Sequence, residues 1–260
     1  MYLEIIAQRQ FNYLYIILDC IFLVVFAFLL FKKRNYATLL VGFLAGILYM
    51  IVDYGIFHLL THSRSISGGN MFWTLLWMSM SYGFTNFTWI WLWLKKDKYL
   101  LEYSLLILLW WFVCPLLAST FGENFNVITI QRTTGSYHGY MALILIVGYL
   151  GVIIFNLFKD KKEERVPLLW ILAIGILVQF GWECALLLGG IRSALISSIS
   201  QKLMTMVINS LLETNLGMPY MYFIYIAFSR FYQENLTKKE RSLTLKDAMI
   251  YNNNLKVKEQ

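Results

Sequence analysis

Proline, cysteine, histidine and charge are all scarce in this chain, and each shortage removes a class of explanation. Three prolines in 260 residues leave no material for a proline-rich linker. The three cysteines, Cys20, Cys114 and Cys184, fall singly in separate apolar stretches. That excludes a disulfide framework and a CxxC site, and reads each thiol as a small buried hydrophobe. Charged residues make up 14% of the chain, where a soluble domain carries about a quarter. Three histidines, none after His138, leave the last 122 residues without imidazole chemistry. No internal repeat appears.

The remainder is apolar. Hydrophobic residues reach 59%, and they collect in seven segments near the ~20 residues that a bilayer requires. These run approximately over 12–31, 36–61, 71–94, 99–120, 137–158, 166–190 and 203–229. The expected fold is therefore all-α: a polytopic integral membrane protein with a seven-helix domain over 1–229 and a basic tail over 230–260. The first segment does not read as a cleaved signal, because Lys32-Lys33-Arg34 follows the apolar run instead of preceding it.

A formal charge of +7 invites a nucleic-acid reading, but the positions of the cations decide against it. Seventeen of the 22 Lys and Arg lie after segments 1, 3 and 5 and in the tail. Only Arg9, Arg64, Arg132, Arg192 and Lys202 lie on the other side. The positive-inside rule then predicts an outside N-terminus and a cytoplasmic C-terminus, in the cell membrane. Pro115 and Pro219 are expected to kink segments 4 and 7. Gly42, Gly46, Gly55, Gly148 and Gly151 are expected to admit close helix neighbours. Loop 121–136, the longest outer connection, is a candidate cap.

Polar groups inside such segments are expensive and mark function. His58 and His62 are spaced i, i+4 on one helix face, and Asp53 lies about 140° around the same helix from His58. With the predicted orientation, Asp19, Asp53 and Glu183 lie about 10–12 Å below the outer surface and Glu213 about 15 Å below it. Gln179 shares a face with Glu183, Asn209 with Glu213, and Asn86 with Ser79 and Tyr82. Arg132 and Arg192 sit in the outer loops above. The inner half, by contrast, carries runs such as Ile90-Trp-Leu-Trp-Leu94. The expectation is a polar cup open to the outside over a dry floor, with a lipid or small molecule as ligand.

Four chemistries compete for this cup. A membrane enzyme would use His58, Asp53, Glu183 and Glu213 for acid–base work, or His58, His62 and His138 to hold Zn²⁺. The Glu of an HExxH motif is missing, because Leu59-Leu60-Thr61 separates the pair. A sensor of the rhodopsin type needs a Schiff-base lysine in its last helix; 203–229 contains none, which argues against retinal. A transporter of a cation or small polar solute suits the acids, although the halves are not duplicated. Haem is limited to one at most by three histidines. Asp19, Asn86, Gln179, Asn209, Arg132 and Arg192 complete the candidate ligand-binding set.

Overall fold

The computed structural model describes residues 7–132, 138–161, 164–192 and 198–235, and 78% of the structure is helix. After strand β1 (Ala7–Asn12) come α1 (Tyr13–Lys32) and α2 (Tyr36–Met50), which continues as a π-helix over Ile51–Leu60. Strand β2 (Arg64–Ser67) leads to α3 (Met71–Ser79), a π-helical turn at Met80–Phe84, and α4 (Thr85–Leu94). Next are α5 (Leu100–Phe121), strand β3 (Val127–Arg132), α6 (His138–Leu157) and α7 (Leu168–Leu188). The last run is α8 (Ile199–Leu212), a 3₁₀ turn at Asn215–Gly217, and α9 (Met218–Asn235). The expected tail over 236–260 lies outside the described residues.

Among the described residues, five helices are long and apolar enough to cross a membrane: Tyr13–Lys32, Tyr36–Leu60, Leu100–Phe121, His138–Leu157 and Leu168–Leu188. Their faces explain why water is the wrong solvent. α1 buries Tyr15, Asp19, Phe22, Phe26 and Leu30 at helical spacing, yet its outward face is Ile17, Ile21, Val24 and Phe28. A helix apolar on both faces sits in a protein core or in lipid, and here the outward face has no protein over it. The chain is a membrane protein.

Local chemistry sets the helix ends. The Asn12 side chain accepts from the Tyr15 amide at 3.0 Å and starts α1. Its own Nδ2 donates to Ala118 O and Gly122 O, at 2.8 and 3.2 Å, which ties the end of α5 to the start of α1. Asn70 caps α3 through the Trp73 amide at 3.2 Å. Pro115 lies within a continuous α5. Pro219 does not kink a helix; the last run breaks ahead of it, at 213–217, and the proline occupies the first turn of α9. Gly83 meets the α2 backbone at Ala45 and Gly46, so the π turn and α2 pack main chain to main chain. Gly55 and Gly151 have no such neighbour.

The all-α expectation needs one amendment. β1, β3 and β2 form a three-stranded antiparallel sheet in that order, pairing Arg9 with Ile130 and Ile66 with Ile130. Gln10 also donates its amide to Ile191 O at 3.0 Å, so the chain after α7 joins the same edge. The expected cap at 121–136 thus includes the central strand of a sheet made from the N-terminal strand and three separate connections. Away from the sheet, Phe26, Leu30, Ile90, Leu92, Ile107 and Ile171 are completely buried and fill the interior with hydrocarbon.

Candidate functional site

Glu183 of α7 and Glu213 at the end of α8 converge on Arg192. The convergence comes from the chain turning back at the end of α7. Gly190 takes φ +69°, and the Ile191 amide reaches back to Leu186 O at 3.0 Å. This is the reversal that a glycine permits at a helix C-terminus. It folds Arg192 over the helix it has just left, with its amide also on Leu186 O. Arg192 Nε lies 2.8 Å from Glu183 Oε2, and its Nη2 lies 3.9 Å from Glu213 Oε1.

Gln179, one turn before Glu183, ties the acids together. Its Nε2 donates to Glu213 Oε2 at 2.9 Å and to Glu183 Oε1 at 3.3 Å. Its carbonyl oxygen accepts from Tyr82 Oη at 2.8 Å and from the Thr214 hydroxyl. The Tyr82 ring in turn meets Tyr49 at 4.7 Å between centroids. Gln179 and Glu183 are buried, while the Glu213 side chain keeps 21% of its surface open. Glu213 is therefore the more accessible of the two acids.

The other predicted acids are engaged elsewhere. Asp53 accepts from Arg64 Nη2 at 2.8 Å and Nε at 3.2 Å, and both side chains are enclosed. The Arg64 guanidinium stands 4.4 Å over the Phe57 ring. Asp19 is buried and accepts from Trp77 Nε1 at 2.9 Å. Asn86 is fully buried, and among the described residues neither its amide atoms nor the buried Asn209 Nδ2 has a partner. Arg132 stands on the central strand opposite Ala7 and Arg64.

The histidines do not assemble. The i, i+4 argument assumed an α-helix, but residues 51–60 are π-helical and the helix ends at Leu60. Thr61 and Ser63 close the turn by donating their hydroxyls to Phe57 O, and His62 takes φ +51° beyond the helix. His62 is exposed, His58 lies 5.2 Å from the Tyr54 ring, and His138 opens α6. Among the described residues no group of three or more His, Cys, Asp or Glu comes close enough to hold a metal ion. The Zn²⁺ expectation therefore has no ligand set here.

Nor is there an open cup at the sheet end: the cavity between Arg9, Tyr15, Trp77, Ser81 and Trp182 has a volume of about 10 Å³, the room one water needs. A second cleft opens at the opposite end, between the α1–α2 and α4–α5 turns. The sequence reading missed Thr214 and the pairing role of Arg64. The run Glu213-Thr-Asn215 inside an apolar segment was the available signal for the first. Comparison with protein-family models, with curated proteins and with solved structures finds no match.

Proposed function

We propose that the protein spans the membrane seven times, with an outside N-terminus, and binds an amine-bearing small molecule or lipid headgroup at the Glu183–Gln179–Glu213–Arg192 cluster. Helical runs 71–94 and 199–235 supply the sixth and seventh crossings. The support is connectivity: residues 7–12, 64–67, 127–132 and 191–192 join one sheet, while the 33–36 and 95–99 turns meet through Asn35 and Asp97. Alternate connections thus gather at opposite ends, as single crossings require. The surplus of Lys and Arg, 17 against 5, supports a sheet on the outside of the cell membrane.

One observation carries the binding reading: two carboxylates from neighbouring helices share one arginine, which sits 2.8 Å from one and only 3.9 Å from the other. An ammonium group arriving from the outer side can take Arg192's weaker place at Glu213 and keep the Gln179 hydrogen bonds. Binding is favoured over catalysis because Asp53, the acid nearest His58 in sequence, is engaged by Arg64. The test uses full-length protein in nanodiscs, comparing retention of phosphatidylethanolamine with phosphatidylcholine by native mass spectrometry. Wild type should retain the ethanolamine lipid preferentially, and Glu213→Gln should lose that preference. Equal retention by both proteins overturns the reading. Cation flux through reconstituted liposomes would replace it with a carrier.

A further inference from the structure

The cleft at the end opposite the sheet has a volume of about 650 Å³, within the range of small-molecule sites. Two helix ends of the same design build its rim. In each, a C-terminal reversal places an amide on the carbonyl five residues back: Asn35 on Leu30 O at 2.8 Å, Asp97 on Leu92 O at 3.0 Å. The residue before each is in left-handed backbone, Arg34 at φ +57° and Lys96 at φ +51°. Glycine is the ordinary occupant of that position; a long cation there stands in disfavoured backbone. The two turns are latched by Lys95 Nζ on Asn35 Oδ1 at 2.7 Å and Asn35 Nδ2 on Asp97 Oδ2 at 3.3 Å.

Charge in the cleft is one-sided. Lys33, Arg34, Lys95, Lys96 and Lys98 line it against a single Asp97, five cations less one acid, or +4. Burial alone would raise the Asp97 carboxyl, but hydrogen bonds from Lys95 and the Tyr99 amide hold it below its ordinary value. Asp97 therefore remains ionised and offsets only its own Lys95, 2.8 Å away. The first turn of α2, Tyr36, Ala37 and Thr38, also lines the cleft. Its N-cap Asn35 gives it no side-chain hydrogen bond, so the positive end of the helix faces the same space. Thr38 is completely buried, and its hydroxyl has no partner among the described residues. Trp91, Tyr225 and Phe228 form an apolar wall beside these groups.

The positive-inside rule accounts for the number of these cations. It does not account for their convergence on a concave surface with an uncapped helix start and an orphan hydroxyl. We propose that this cleft binds a phosphate-bearing anion, with the phosphate at the α2 N-terminus between Arg34 and Lys96. Its source is an inner-leaflet lipid headgroup or a soluble phosphate compound, the leaflet assignment alone resting on the proposed topology.

The left-handed positions supply the test. Arg34→Gly with Lys96→Gly removes two cations where glycine suits the backbone, so the thermal transition of the full-length variant should hold or rise. Equilibrium binding is measured for short-chain phosphatidic acid, short-chain phosphatidylcholine and inorganic phosphate. Wild type should prefer the phosphatidic acid to the choline lipid, and the double variant should bind it about thirtyfold more weakly. Weak binding of inorganic phosphate beside tight binding of the lipid identifies a headgroup site. Comparable binding of the two identifies a soluble ligand. If the double variant unfolds, Lys98→Gln repeats the comparison. Unchanged affinity in the folded variant, or no preference of the wild type for either anion, overturns the proposal.

Discussion

Arg192 shows how a single residue can both hold a helix pair and define a site. It is buried against Glu183 and reaches Glu213 on the next helix. Removing one partner of a buried pair leaves an uncompensated charge, which costs about 3–5 kcal/mol where relaxation is limited. Arg192→Met should therefore lower stability by about 3 kcal/mol, since Glu213 keeps some solvent. Adding Glu183→Met should recover part of that loss, because both buried charges are then gone. Reversible unfolding in mixed detergent reads both variants. An Arg192→Met protein as stable as wild type would show that the pair does not hold α7 to its neighbours. Much of this cluster was legible beforehand: Gln179 and Glu183 share a face, and Glu213 and Arg192 stand near the same outer end. The partner of Asp53 was not. Sequence proximity paired Asp53 with His58, whereas Arg64 reaches it only after a turn that the π-helix makes possible.

At the level of elements, helices announced themselves and strands did not. A run such as Tyr13–Lys32 carries its signal locally, as twenty residues that are apolar except for Asp19 and the closing lysine. Strand β1 reads Ala-Gln-Arg-Gln-Phe-Asn, a mixed run that becomes a strand because β3, more than a hundred residues away, offers it backbone partners. π-helical segments leave no periodic signature either, since the same residues suit an α-helix. α2 and the π turn at Met80–Phe84 pack main chain to main chain, and that contact separates two glycines. A Cβ on Gly83 would meet the Ala45 and Gly46 main chain at 2.9 Å, whereas one on Gly46 would meet the flexible end of Met80. Gly83→Ala should then cost about 1–3 kcal/mol, and Gly46→Ala under about 1 kcal/mol, by the usual cost of overpacking. Thermal transitions of the two variants decide it. Equal transitions would mean that α2 slides freely on the π turn.

Over the whole molecule, everything said of inside and outside depends on one orientation. The sheet gathers the N-terminal strand and the connections near 64–67, 127–132 and 191–192 at one end. The basic cleft gathers residues 33–36 and 95–99 at the other. Moving lysines and arginines across a bilayer is costly, and the rule that follows from it sets the cationic end inside. Single cysteines substituted at Ser63 or Ser65 should accordingly react with an impermeant maleimide added to intact cells, and one at Lys161 should react only after permeabilisation. Both sets must be introduced into a chain with its own thiols accounted for. Cys20 is exposed on a membrane-spanning face, Cys184 is partly buried and Cys114 is buried, so all three are shielded from a charged reagent by lipid or protein. Substitution at Ser65 leaves the ladder intact, because its side chain bonds only Gln131 at 3.2 Å while its backbone does the pairing. The reversed labelling pattern would turn the molecule over. The Glu183–Arg192–Glu213 cluster would then face the cytoplasm and the basic cleft the outer leaflet, with every contact inside the bundle unchanged.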